Sequence, residues 1–291
     1  MKTSLLKLAR AAITGTIALL SIVAQAASVP AFKVEAIGQG KPMILIPGLA
    51  SSGDVWKETV AHYDKHYRCY VLTLAGFAGT PATDGPLLQQ AEQQLLKFMD
   101  EEKLDKPTIV GHSLGGFLAL KLAAEHADKV GMLVILDSLP AMGAAQVPSM
   151  TEAQLKELAT QYRDNMLNGD PESHTRIRRT MVSNMATKAE DIERVIDWGA
   201  KSDRVAVANA MYEMMSTDLR QSISGIKAPT LVLGTWIGYK QYVPRELSES
   251  TFKLQYAKLP GVKIVLADNA KHFIMYDDPQ WLYARMDEFL K

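Results

Sequence analysis

Short runs of nearly unbroken apolar residues recur along this chain, at Met43–Ile46, Cys69–Leu74, Thr108–Val110, Met132–Leu136, Thr230–Leu233 and Ile264–Ala267. A strand covered by helices on both faces reads this way, whereas a half-exposed antiparallel strand alternates. Between these runs, Gln89–Glu102 and Gly116–Glu125 carry apolar residues at helical spacing, and Pro279 opens an amphipathic C-terminal helix through Trp281, Leu282, Met286 and Phe289. Short strands alternating with longer helices predict an α/β fold, a mostly parallel sheet built from residues 27–141 and again from 225–291. The stretch 142–224 has no strand signal, is rich in Glu, Lys, Arg, Ala, Leu and Met, and breaks at Asn168-Gly169-Asp170-Pro171. It is expected to form a helical lid inserted between two strands, over an edge of the sheet or over the strand ends. Eight of the fourteen methionines fall in it: Met142, Met150, Met166, Met181, Met185, Met211, Met214 and Met215. Their flexible thioethers suit either an adaptable apolar binding wall, with Met142 at its start, or the lid's own small core.

The first residues follow another pattern. Lys2, Lys7 and Arg10 precede an almost wholly apolar run, Ala11 to Val23, which ends in the small-x-small tripeptide Ala24-Gln25-Ala26. This predicts a Sec-type signal peptide over residues 1–26, cleaved after Ala26, and a periplasmic or secreted protein. A spanning helix needs roughly 20 apolar residues, so no stable membrane span is expected after cleavage. Over the whole chain, 32 basic residues balance 32 acidic ones. Loss of residues 1–26 removes three basic and no acidic residues, leaving a net charge of −3. No basic field is present to collect nucleic acid or anionic lipid. Cys69 is the single cysteine, which excludes an internal disulfide and any cysteine-rich zinc site. No cluster implies a metal or an organic cofactor, and the oligomeric state is left open.

Chemistry concentrates at Gly111-His112-Ser113-Leu114-Gly115, between the apolar run Thr108–Val110 and the helix near Gly116. A serine in this strand–turn–helix context stands on a nucleophile elbow, a strained bend that lifts its hydroxyl above the sheet while the flanking glycines let neighbouring segments close in. The amide of Leu114 then faces the same space at a helix N-terminus, where an oxyanion is stabilised. A second glycine run, Ala75-Gly76-Phe77-Ala78-Gly79-Thr80, lacks the spacing of a phosphate-binding loop.

With Ile46-Pro47-Gly48-Leu49 after an early strand, the Ala75–Gly79 run after the next, the elbow, and Asn269-Ala270-Lys271-His272-Phe273 after the last, the chain resembles the α/β-hydrolase family over essentially all of its sequence beyond residue 26, the lid least so. The resemblance implies a sheet of about eight mostly parallel strands, an active site above their carboxyl ends, and Ser113 as nucleophile. It implies His272, alone among six histidines in following the final strand, as the base; His112, inside the elbow, is expected to point away from the nucleophile. It also implies the amides of Leu49 and Leu114 as oxyanion donors. The usual acid is missing: the loop after the strand that follows the lid reads Gly234-Thr235-Trp236-Ile237-Gly238-Tyr239-Lys240, with no carboxylate. Some members take the acid from the preceding strand end, where Asp137 stands. Glu246 and a Ser–His dyad are the alternatives, and Asp268 is assigned to backbone hydrogen bonds of its own loop. Trp236 and Tyr239 are expected either to line an aromatic pocket wall or to fill the space of the missing acid. The loop after Cys69–Leu74 starts with Leu74 and Ala75 where the family often has aspartate, which predicts a more apolar rim.

The reaction expected from this resemblance is hydrolysis of carboxylic esters with small or medium acyl chains on a small-molecule substrate. Amidase, aminopeptidase or carbon–carbon bond hydrolase activity remains open, as does a non-catalytic binding protein on the same scaffold. Dehalogenase and epoxide hydrolase branches carry aspartate where Ser113 stands, and are excluded.

Overall fold

The computed structural model describes residues 29–291, so the segment expected to be a signal peptide, residues 1–26, lies outside the described residues. Seven strands form the sheet among the described residues: β1 Phe32–Gly38, β2 Lys41–Ile46, β3 Tyr67–Leu74, β4 Thr108–His112, β5 Met132–Leu136, β6 Thr230–Thr235 and β7 Lys263–Ala267. Their spatial order is β1-β3-β2-β4-β5-β6-β7, with β1 antiparallel to β3 and every other pairing parallel. The unbroken apolar runs have a physical cause here, since successive side chains feed two separate cores. Ile44, Ile46, Ile109, Leu133 and Ile135 enter one, and Met43, Leu45, Val110, Val134 and Leu136 the other. The sequence pattern missed β1, because its Phe-Lys-Val-Glu run alternates in the manner of an edge strand whose outer face meets water.

Among the described residues, six helices flank the sheet: α1 Lys57–Tyr63, α2 Leu87–Glu101, α3 Leu114–Glu125, α8 Arg245–Gln255, the single turn α9 Ile274–Asp277 and α10 Pro279–Phe289. Between β5 and β6 the chain forms four more, α4 Glu152–Asn168, α5 Pro171–Ser183, α6 Ala189–Lys201 and α7 Arg204–Ser216. Their boundaries are chemically marked: Thr151 and Gln154 form a capping box on α4, while Asp170 and Asp203 accept N–H bonds at the starts of α5 and α7. The four helices do not form an isolated module. Ala210 and Met214 of α7 enter the first core, and Val182, Val195 and Trp198 of α5 and α6 enter the second. Backbone bonds tie them to loops at the carboxyl ends of the strands, Asp203 N to Gly76 O at 2.7 Å and Phe273 N to Met185 O at 3.0 Å. The eight methionines divide accordingly: Met214 and Met215 are buried, Met142, Met150, Met185 and Met211 are half-buried against the cores, Met166 is half-buried, and Met181 is exposed.

Candidate active site

Parallel strands bring their carboxyl ends to one edge, and the register sets which residues meet there. β4 pairs with β5 up to His112 opposite Leu136, and β5 with β6 up to Leu136 opposite Leu233. The chain then turns at Ser113 and Asp137, both with left-handed backbone, φ 52° and 42°. Such conformations cost a non-glycine residue on the order of 1–3 kcal/mol and persist only where surrounding contacts enforce them. Here Ser113 N donates to Leu136 O at 2.9 Å and Asp137 N to Leu233 O at 2.8 Å, which fixes both bends. The glycines around the elbow are steric necessities, since a Cβ on Gly115 would overlap the carbonyls of Ile46 and Pro47. Gly48 lies so close that a Cβ there would stand 3.2 Å from Ser113 Cβ. The residue after it, Leu49, is half-buried and packs against the first core. Leu114 is the first residue of α3, and its amide precedes the helix's first bond, Phe117 N to Ser113 O.

His272 arrives from the loop after β7. Its Nδ1 lies 2.6 Å from Asp137 Oδ2, with only 18% and 14% of the two side chains exposed. A carboxylate oxygen accepts, so Nδ1 donates in this bond and Nε2 takes no part in it. Asp137 is held from its other side by β6: Thr235 N donates to Oδ1 and Thr235 Oγ1 donates to Oδ2, both at 2.9 Å. The segment that follows Asp137 is pinned as well. Tyr256 hydroxyl donates to Ser138 O, and the buried Gln255 amide accepts from Ala141 N and donates to Ala141 O. The other proposed acid, Glu246, is exposed on the first turn of α8.

His112 makes a contact that the sequence did not indicate. It packs against the loop after β7, ring centroid 4.5 Å from that of His272, and its Nε2 donates to His272 O at 3.0 Å. Burial, followed by the neighbouring His272 charge, pushes its pKa well below the ordinary histidine value, so it stays neutral. Nδ1 is therefore the bare nitrogen, buried and without a partner, near Gly48. The role expected for Asp268 also changes. It accepts from two side chains, Trp236 Nε1 at 3.0 Å and Arg245 Nε at 2.7 Å, and the Arg245 bond first and the Trp236 bond second hold its carboxyl below the usual range. Trp236 is thus half-buried against the first core with its indole tethered. Tyr239 exposes 55% of its surface, yet desolvation of the phenol and the nearby Asp137 charge raise its pKa. Leu74 is fully buried and so does not reach a rim. A cavity of about 260 Å³ lies beside Ala75, bounded by Thr83, Asp84, Asp203, Ala206 and Asn209; Ser113, His272 and Asp137 do not line it. Among the described residues, Glu92, Glu125 and His126 form one grouping of possible metal ligands, but the Lys121 ammonium already bridges both carboxylates at 2.5 and 2.6 Å.

Thr235 and the contact made by His112 were not found from sequence. The one signal for Thr235 was its place at the end of β6, where a carboxylate was sought and a hydroxyl stands.

The chain matches the alpha/beta hydrolase fold family over residues 41–279 and belongs to that family. It is 34% identical to the pimeloyl-[acyl-carrier protein] methyl ester esterase of Vibrio vulnificus (strain YJ016) over 107 residues, 37% of this chain and 40% of that protein. That match thus spans two fifths of the relative's length. The enzyme of the same name from Aeromonas hydrophila is 23% identical over 271 residues, covering 88% of this chain and 98% of the relative. Among solved structures, a thermophilic esterase from Thermogutta terrifontis superposes with a TM-score of 0.73 at 20% identity, covering 90% of this chain and 97% of that one. No helix of the described residues is long and apolar enough to cross a membrane.

Proposed function

We propose that this chain is an exported serine hydrolase that cleaves carboxylic esters of small to medium apolar substrates through an acyl-enzyme intermediate. The observation that carries the reading is the 2.6 Å contact of His272 Nδ1 with Asp137, made at the strand edge where Ser113 stands on its left-handed bend. In this mechanism His272 Nε2 takes the Ser113 proton as Oγ attacks the ester carbonyl, and Asp137 stabilises the imidazolium that results. The amides of Leu49 and Leu114 hold the developing oxyanion, a contribution typically worth about 3–4 kcal/mol per donor. The imidazolium then protonates the leaving alcohol. Water, deprotonated by the same nitrogen, releases the acid and restores Ser113. Helices α4–α7 act as the lid over this site, with Trp236, Tyr239 and Met142 as substrate-facing side chains. The esterase names of the relatives support ester cleavage, and the charge pattern of residues 1–26 supports export.

A fluorophosphonate probe together with p-nitrophenyl esters from acetate to palmitate tests the reading. Labelling confined to Ser113, lost in Ser113→Ala, and hydrolysis that peaks at short or medium chains are expected. Folded protein that neither labels nor hydrolyses any ester would be a binding protein instead. For export, the protein recovered from the periplasm or medium is expected to begin at Ala27.

A further inference from the structure

We propose that Thr235 is the positioning residue for the acid of this site: its hydroxyl and its amide together lock the Asp137 carboxylate in the orientation that meets His272. The inference rests on the reading of Ser113, His272 and Asp137 as the catalytic groups and goes one step behind them. Asp137 stands on a strand end at φ 42°, a bend that leaves its carboxylate free to turn about its own side-chain torsions unless something grips both oxygens. Thr235 supplies that grip from the adjacent strand. Its N–H takes Oδ1 and its hydroxyl takes Oδ2, each at 2.9 Å, and His272 Nδ1 approaches the same Oδ2 at 2.6 Å. One donor alone would act as a pivot; two donors, one on each oxygen, define the plane of the carboxylate. Thr235 itself is fixed, being β-branched, only 8% exposed and the last residue of β6. Hydrogen bonds to a carboxylate are stronger than those between neutral groups, and in a site with so little exposure water is a poor substitute. The loop after β6, which carries no carboxylate of its own, thus serves the acid of β5 through a hydroxyl.

The test compares Thr235→Val, which keeps the shape and the amide but removes the hydroxyl, with Thr235→Ser, which restores it. We expect Thr235→Val to lower kcat about tenfold with KM within about twofold, and Thr235→Ser to stay within about threefold of the parent kcat. In an Asp137→Asn background, where kcat has already fallen by up to about 10⁴, Thr235→Val should cost less than about twofold more, because the two residues act as one unit. Should Thr235→Val be unfolded at the assay temperature, Thr235→Ala is measured below its own melting point against the same expectations. A folded Val or Ala variant with parental kcat overturns the proposal, and so does an equal loss in both backgrounds, which would place Thr235 outside the Asp137 interaction. Asp137→Asn separates the two failures. If that variant keeps most of the activity, the catalytic reading itself falls; if it loses activity while Thr235→Val does not, the positioning role alone falls.

Discussion

His112 shows how much a single buried side chain in this fold is asked to do. It joins the elbow to the loop that carries His272, and it does so as a neutral imidazole, since burial disfavours the charged form. The consequence for stability has a definite sign. In the unfolded chain this histidine takes up a proton near pH 6.5, whereas in the fold its pKa is lowered and it does not. Below about pH 6.5 the unfolded state therefore binds more protons, and stability falls as pH drops through that window, by up to about 1.4 kcal/mol per pH unit. His112→Gln retains an amide that can donate to His272 O but cannot be protonated. Urea unfolding at pH 7.5, 6 and 5 should show the parent losing stability faster than this variant; a gap between them that is constant across pH would show that His112 does not titrate in the way its burial requires. The roles at this scale were unevenly legible in sequence. Ser113 and His272 stand in local motifs, and Asp137 stands at a recognisable strand end. The contacts of His112 and Thr235 depend on the alignment of separate strands and loops, which no local pattern encodes.

At the scale of elements, the helices are held by one another's side chains as much as by their own caps. α2 begins at Leu87 behind Pro86, which offers no side-chain oxygen, and its first amides are met instead by Glu213 of α7, with Leu88 N and Gln89 N at 3.2 and 3.4 Å from Oε2. Desolvation outweighs these bonds and raises the pKa of Glu213 above the ordinary carboxyl value. A carboxyl that holds its proton more tightly in the fold contributes less stability as pH rises from about 4.5 through its folded pKa. Glu213→Ala should cost about 1 kcal/mol, the usual price of a lost N-cap, while Glu213→Gln, which still accepts through its carbonyl oxygen, should gain on the parent as pH rises from 4.5 to 7. Thermal melts of both variants across that range check the order; Gln no better than Ala would mean that the negative charge, and not the accepting oxygen, serves α2. Strand legibility has an equally physical limit at this scale. The six strands β2–β7 were readable because their side chains feed cores on both faces, and β1 was not, because its outer face meets water and only one side chain in two carries the signal.

Across the whole molecule, the inserted helices are tied to the loop that carries His272. Lys271, one residue before His272, donates its ammonium to Ser183 O at 2.7 Å, the last carbonyl of α5, and to Ala186 O at 3.0 Å. A cation there meets both the free carbonyls and the negative end of the helix. Asp277, five residues beyond His272, accepts from Thr187 N and Thr187 Oγ1 and from Lys271 N, each at 2.9 Å, which closes a ring of bonds around residues 183–187. Composition placed these helices as an insertion, but which of them would grip the His272 loop could not be read from it, because the grip uses backbone carbonyls that every residue possesses. Lys271→Met keeps the apolar stem and removes the side-chain donors. It should cost about 1–2 kcal/mol in global stability, and amide exchange should quicken in α5 and α6 while β4, β5 and β6 keep their protection. Because the same loop presents His272, kcat should fall together with that protection. Faster exchange in α5 and α6 with an unchanged kcat would mean that His272 is held by Asp137 and His112 alone, and that loosening of these two helices is without consequence for it.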